Sequence, residues 1–335
     1  MTVDNKSQVL KVTSLVTLTL QNAVLGLSMR YARTRVGPMF ISSTAVVMSE
    51  LVKLLTCLFL VYKENHFCSK KWSSSLYSTV IQQPLDTLKV CVPSFVYIIQ
   101  NNLLYVSASH LDAATYQVTY QLKILTTALF AVALLKKKLS QRQWFALVVL
   151  VVGVALVQLS GSEGKSPREG QNKVIGFSAA LGACVLSGFA GIYFEMILKG
   201  SNEISVWMRN VQLSLLSLPF GFITCITTDW SEINSKGWLY GYDFFIFYLV
   251  FLQAGGGLVV ALVVKYADNI LKGFATSLAI VISCVCSMYF FQFKLTFMFV
   301  LGATCVITSI FLYSLVPTDK KQYSLLVGKE KSENI

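Results

Sequence analysis

Ten stretches of this chain are apolar over about 20 residues each, the length a helix needs to cross the hydrocarbon core of a bilayer. They fall at about residues 10–30, 39–62, 89–108, 112–135, 143–160, 174–198, 205–228, 244–265, 270–291 and 296–316. A chain inside lipid must satisfy its own backbone polar groups, and runs of this length do so as helices. The expected class is therefore an all-α membrane protein with ten transmembrane helices.

Composition agrees. Of 335 residues, 55% are hydrophobic and only 13% charged, with a mean hydropathy of +0.63. A soluble domain carries about twice that share of charge. The net charge of +12 first suggests a nucleic-acid partner. The basic residues, however, sit in short loops between apolar runs, which points to topology control and an anionic substrate, not to nucleic acid. Seven of the eight cysteines lie inside apolar runs and Cys68 lies in a loop, so they read as buried thiols, not as a disulfide set. The first run is followed by many others and reads as an anchor, not a cleaved leader.

With a cytosolic N-terminus, fifteen Lys and Arg face the cytosol, among them the run Lys136–Lys138, and eight face the lumen. That bias puts both termini in the cytosol. It also leaves the sequon Asn5-Lys6-Ser7 cytosolic and unmodified. The polar stretch after residue 160 divides the spans five and five. An odd number per half inverts one half relative to the other, as in many secondary transporters. The expected organisation is a tail over 1–9, a first repeat over 10–160, a lumenal linker over 161–173, a second repeat over 174–316 and a tail over 317–335.

Charges within the spans are costly and mark function by default. Lys53 follows Glu50 by one turn, so a structural pair and a substrate contact are both open. Arg209 begins a span and can snorkel, as can Lys265 beside Asp268; Lys272 can pair with Asp268. Lys123 stands near mid-span with no acid within a turn of sequence. Helical spacing puts Tyr116, Thr119, Tyr120 and Lys123 on one face. Such a face offers rings to stack a base, hydroxyls for a ribose and a cation for phosphate. A packed interior with satisfied polar groups is the alternative. The glycines at 255–257 either loosen their helix or allow close packing. His66 and His110 are the only histidines, and no metal, nucleophile or dinucleotide motif appears, so no enzyme and no cofactor is expected.

Five segments carry a family resemblance. They are STAVVMSELVKLL at Ser43–Leu55, QNNLLYVSASHLDAATYQVTYQLK at Gln100–Lys123, SGFAGIYFE at Ser187–Glu195, WMRNVQL at Trp207–Leu213 and KYADNILKGF at Lys265–Phe274. In this order they resemble the nucleotide-sugar transporters for CMP-sialic acid, UDP-galactose and UDP-N-acetylglucosamine. The resemblance implies ten spans in two inverted five-helix repeats, residence in Golgi or endoplasmic reticulum, and exchange of a nucleotide sugar for a nucleoside monophosphate. It implies that Tyr116, Tyr120, Lys123 and Ser187 line the nucleotide pocket. Asn101 and Asn102 then hydrogen-bond the nucleotide, Asn210 reads the base and Lys272 meets phosphate. Glu50, Lys53, Tyr266 and Asn269 fall on the sugar side or at a gate. Ser214 stands where the CMP-sialic acid branch has tyrosine, which implies the UDP-sugar branch. UDP-N-acetylglucosamine and UDP-galactose are the implied substrates, UDP-N-acetylgalactosamine a further one, with UMP as counter-substrate. The partners are these nucleotides and membrane lipid, and a homodimer is left open. A CMP-sialic acid transporter, or another metabolite exporter of the same fold, is the alternative.

Overall fold

The computed structural model describes residues 3–160, 171–200, 204–266, 269–291 and 294–315. Most of the linker, the C-terminal tail, Asp268 and the side chains of Lys265, Tyr266, Asn269 and Lys272 lie outside the described residues. The rest is helical, with no strand among them.

Helix α1 (Val3–Thr34) begins well before the expected first span and is roughly 48 Å long at 1.5 Å per residue. Helix α2 (Ser42–Glu64) is followed by α3 (Ser69–Leu76), a π turn at Tyr77–Ile81 and α4 (Pro84–Lys89). Pro84 opens α4 where its missing N–H costs nothing. After α5 (Cys91–His110) the expected fourth span is not one helix. It is α6 (Ala113–Thr119), a 3-10 turn at Tyr120–Leu122 and α7 (Lys123–Leu135). α7 stops at Lys136, which takes a left-handed conformation with φ of 52° at the start of the lysine run. Helix α8 (Gln141–Ser160) starts with a capping box: Gln143 N–H donates to Ser140 Oγ at 3.3 Å and Ser140 N–H to Gln143 Oε1 at 2.9 Å.

The second half runs α9 (Lys173–Gly200), α10 (Val206–Thr228), α11 (Trp230–Lys236), α12 (Phe244–Tyr266), α13 (Asn269–Phe291) and α14 (Phe297–Ser314). Side chains cap four of these starts. Asn172 Oδ1 accepts from Val174 N–H, Ser205 Oγ from Met208 N–H, Asp243 Oδ1 from Ile246 N–H and Thr296 Oγ1 from Phe299 N–H. Among the described residues seven helical stretches, with α4–α5 and α6–α7 each taken as one, are long and apolar enough to cross a membrane, with shorter apolar stretches at Phe244–Val259 and Leu278–Phe290.

Helices pair mostly across the midpoint of the chain. α1 lies on α12 and α13, α5 on α9 and α10, α2 on α10 and α12, α7 on α9, and α8 on α14. Small residues permit this closeness. A Cβ added at Gly302 would stand 2.6 Å from the Gly153 carbonyl oxygen, and one at Gly153 2.7 Å from the Gly302 oxygen. Neither backbone can yield alone, so Gly302→Ala should destabilise by about 1–3 kcal/mol. A drop in thermal midpoint in detergent checks this; an unchanged midpoint would mean the α8–α14 contact has slack. Gly188 in the SGFAG segment likewise brings α9 onto the Thr126–Thr127 backbone. The glycines at 255–257 do not interrupt α12. Gly256 makes room for the Gln21 amide and a Cβ at Gly257 would touch Lys53 Cδ at 3.4 Å, whereas a Cβ at Gly255 would meet nothing within 4 Å, so close packing requires glycine at Gly256 alone.

One end of the bundle is laced by polar contacts. Arg33 donates to Ser109 Oγ at 2.8 Å and to the Phe40 carbonyl at 3.0 Å. Ser43 bonds Asp229, and Arg35 pairs with Asp243 at 2.5 Å. The Arg35 hydrogen bond holds the Asp243 carboxyl below the usual carboxylate range. This contribution is present above that range and fades only as pH falls through the lowered value.

Candidate functional site

The site forms where the fourth span breaks. The helix hydrogen-bond ladder tightens into the 3-10 turn at Tyr120–Leu122, and α7 restarts at Lys123. The Tyr120 carbonyl, which accepts the Lys123 N–H within the turn, is also met by Cys184 Sγ of α9 at 3.5 Å. Thr126 Oγ1 reaches the Cys184 carbonyl at 2.6 Å, so α9 splints the break from both sides. Interrupted spanning helices of this kind are where carriers build binding sites, because irregular backbone in a membrane survives only against protein or a polar cavity.

Three of the expected residues meet there. The rings of Tyr116 and Tyr120 lie parallel, 4° apart in plane and 6.1 Å between centroids. Lys123 Nζ sits 4.3 Å from the Tyr120 centroid, a cation over the π face. Gln100 Nε2 of α5 donates to the Tyr120 hydroxyl at 3.0 Å, and Ser187 of α9 interacts with the same hydroxyl. Gln100 was not foreseen; its only signal was its place at the head of the QNN run. Its buried Oε1 has no hydrogen-bond partner among the described residues.

Thr119 corrects the expected four-residue face. It is buried, donates to the Thr115 carbonyl at 2.7 Å and accepts from Gln158 Nε2 of α8 at 2.5 Å. It faces α8 while Tyr120 meets α5 and α9. Asn101 and Asn102 are half-buried on α5, with Asn102 Nδ2 returned to the Ile98 carbonyl of its own helix at 2.9 Å.

Asn210 and Ser214 share α10. Asn210 Nδ2 donates to the Val206 carbonyl at 2.8 Å, and Ser214 Oγ is fully buried without a hydrogen-bond partner among the described residues. Ser94 of α5 donates to the Leu213 carbonyl at 2.9 Å. Ser94 and Gln100 lie six residues apart, so this contact sits roughly 9 Å along α5 from the tyrosine stack. One helix thus connects the two groups. Lys272 lies on α13, which packs against α6, the helix carrying Tyr116.

Two charged pairs lie in the interior besides that of the buried Arg30, which pairs with Asp112 at 3.5 Å. Lys53 Nζ meets Glu50 Oε1 at 2.8 Å, the one-turn pair allowed by the spacing, with both side chains buried and Glu50 Oε2 without a hydrogen-bond partner among the described residues. Arg209 does not snorkel. It is fully buried and forks onto Asp86 of α4 at 2.5 and 3.3 Å while also donating to Gln212 Oε1 at 2.9 Å. A guanidinium inside the bundle needs that paired, multiply bonded setting. No group of three or more His, Cys, Asp or Glu fit for a metal occurs among the described residues.

These elements define a multi-pass helical membrane protein with a polar interior, the class to which solute carriers belong. Comparison with known proteins narrows the class. The family model described as nucleotide-sugar transporter matches residues 6–314. A UDP-galactose/UDP-N-acetylglucosamine transporter of Caenorhabditis elegans is 50% identical over 306 residues, 91% of this chain and 82% of its own length. A UDP-galactose translocator of Mus musculus is 51% identical over 307 residues, covering 91% and 78%. A UDP-N-acetylglucosamine transporter of Homo sapiens is 48% identical over 313 residues, covering 92% and 96%. One solved crystal structure, at 10% identity, shares the fold with a TM-score of 0.52 over 93% of this chain and 98% of that one. The chain belongs to the nucleotide-sugar transporter family. Its relatives are transporters, not enzymes.

Proposed function

We propose that this protein is an antiporter for UDP-sugars, UDP-N-acetylglucosamine and UDP-galactose foremost, which it brings into the Golgi or endoplasmic reticulum lumen in exchange for UMP. Relatives with about half their residues identical bear those substrates in their names. The observation that carries the reading is the Tyr116–Tyr120–Lys123 cluster at the helix break. Parallel rings suit a pyrimidine, and a cation beside them suits phosphate. The open Gln100 Oε1 and Ser214 Oγ supply hydrogen-bond capacity of the kind a polar ligand uses.

Ten spans in two inverted repeats are supported by the helix pairing. Exchange each of the first five spanning elements, α1, α2, α5, α6–α7 and α8, for its counterpart among α9, α10, α12, α13 and α14. The α1–α12 contact becomes α9–α5, α1–α13 becomes α9 with α6–α7, and α2–α12 becomes α10–α5. The α2–α10 and α8–α14 contacts map onto themselves. The most extensive contacts thus return to themselves, as a pseudo-twofold axis requires, while the smaller α1–α5, α1–α6 and α2–α5 contacts do not. Lys123 and Lys272 then occupy corresponding elements, one from each half, and close on the diphosphate together. The lysine bias places both termini in the cytosol.

The base assignment is tested by competition. Uptake of labelled UDP-sugar into proteoliposomes should be blocked by UMP at lower concentration than by CMP, and Ser214→Tyr should weaken the block by UMP. Stronger inhibition of the wild type by CMP would assign the protein to the CMP-sialic acid branch.

A further inference from the structure

The connection between α2 and α5 has an inner face that is fully engaged. Trp72, Leu76 and Val80 recur every fourth residue and pack into the cluster around Cys57, Val61 and Val211. Trp72 Nε1 donates to the Leu58 carbonyl at 3.2 Å. Gln212 Nε2 of α10 donates to the Thr79 carbonyl at 3.3 Å and to Thr87 Oγ1 at 3.0 Å, and Arg209 grips Asp86. The segment is thus fixed to α2 and α10 and cannot turn over.

Its outer face is therefore held outward. It presents Tyr77, Ile81, Leu85 and Leu88, which are 56%, 59%, 77% and 62% exposed. Tyr77 and Ile81 are one turn apart, as are Leu85 and Leu88, so each pair makes a continuous apolar ridge. Lys63, Lys70, Lys71 and Lys89, on either side of them in sequence, are exposed as well. The only acids in this stretch are Glu64 and Asp86, and Asp86 is committed to Arg209. The face lies where α2 ends and α5 begins, which is the level of a membrane surface. Apolar side chains flanked by lysines at that level are what the boundary between headgroups and acyl chains accommodates, and unbalanced positive charge there favours anionic lipid.

We infer that the outer face of Ser69–Lys89 is a membrane-interface anchor in which Tyr77, Ile81, Leu85 and Leu88 enter the acyl boundary and Lys70, Lys71 and Lys89 hold anionic lipid headgroups. Because the Asp86–Arg209 pair ties this segment to α10, lipid held there steadies the helix that carries Asn210 and Ser214. The inference goes beyond the transport reading and does not require it.

The test uses the whole protein in nanodiscs and two readouts that do not depend on transport. The thermal midpoint of the wild type should rise as phosphatidylserine replaces phosphatidylcholine. The variant K70Q/K71Q/K89Q should lose at least about half of that rise. K236Q, on exposed α11 at the far end of α10, should keep it. Leu85→Trp adds a fluorophore to the outer face. Its emission in excess of the parent protein should be quenched about twofold more by lipid brominated near the glycerol end of the chain than by lipid brominated at the chain terminus. Equal midpoints in neutral and anionic discs would overturn the inference. So would a lipid response lost equally in K236Q, or an added indole signal in Leu85→Trp quenched only by aqueous iodide or by neither agent. Should UDP-sugar transport fail instead, both readouts stand unchanged.

Discussion

Lys123→Ala is expected to abolish nucleotide-sugar binding while leaving folding and membrane insertion intact. The lysine starts α7 just after the 3-10 turn and lies over the Tyr120 ring, so its own backbone does not depend on the side chain's charge. A bound phosphate does. Removing one partner of a desolvated charge pair costs about 2–5 kcal/mol, a loss of roughly 30-fold to several thousand-fold in affinity. Lys123→Arg should also bind poorly, because a planar fork replaces a compact point charge of different reach. Lys272→Ala should match Lys123→Ala if each half of the protein contributes one cation. Ligand-induced thermal stabilisation by UMP measures all three. Normal stabilisation of Lys123→Ala would remove the tyrosine–lysine cluster from the site.

Arg209→Ala is expected to be the most damaging single substitution to stability. It leaves Asp86 without its bidentate partner and opens Gln212, with a typical cost of about 3–5 kcal/mol for breaking a buried pair from one side. The double variant Arg209→Met with Asp86→Leu should be milder, since an apolar replacement of both charges removes the desolvation cost along with the attraction. The thermal midpoint of purified protein, compared across wild type, single and double variants, checks this order. A double variant no more stable than the single one would show that the pair's geometry, and not its charge balance, holds α4 to α10.

The sequence foretold seven spanning stretches among the described residues because lipid imposes a length that can be counted, and it foretold the Glu50–Lys53 pair because one turn separates them. The break at Tyr120–Leu122 left no trace: Thr119–Lys123 contains neither proline nor glycine, and the contacts that brace the turn come from Cys184 of α9, more than 60 residues from the turn. That break is also why Thr119 left the face that uninterrupted spacing assigned to it. Arg209 was misread because its partner lies 123 residues away, on a short helix that periodicity does not reveal. The meeting of Tyr116, Tyr120 and Lys123 was legible, since helical spacing puts a cation and two aromatic rings on one face. Gln100 was hidden among neighbouring amides, and only the bond to Tyr120 singles it out.

The central claim is exchange of a UDP-sugar for UMP, and counterflow measures it directly. Purified protein in liposomes loaded with UMP should take up labelled UDP-N-acetylglucosamine or UDP-galactose faster than in empty liposomes or liposomes loaded with GMP, and Lys123→Ala should show no such stimulation. Equal uptake into empty and UMP-loaded liposomes would contradict antiport, and no uptake of either sugar under any loading would contradict the substrate assignment itself.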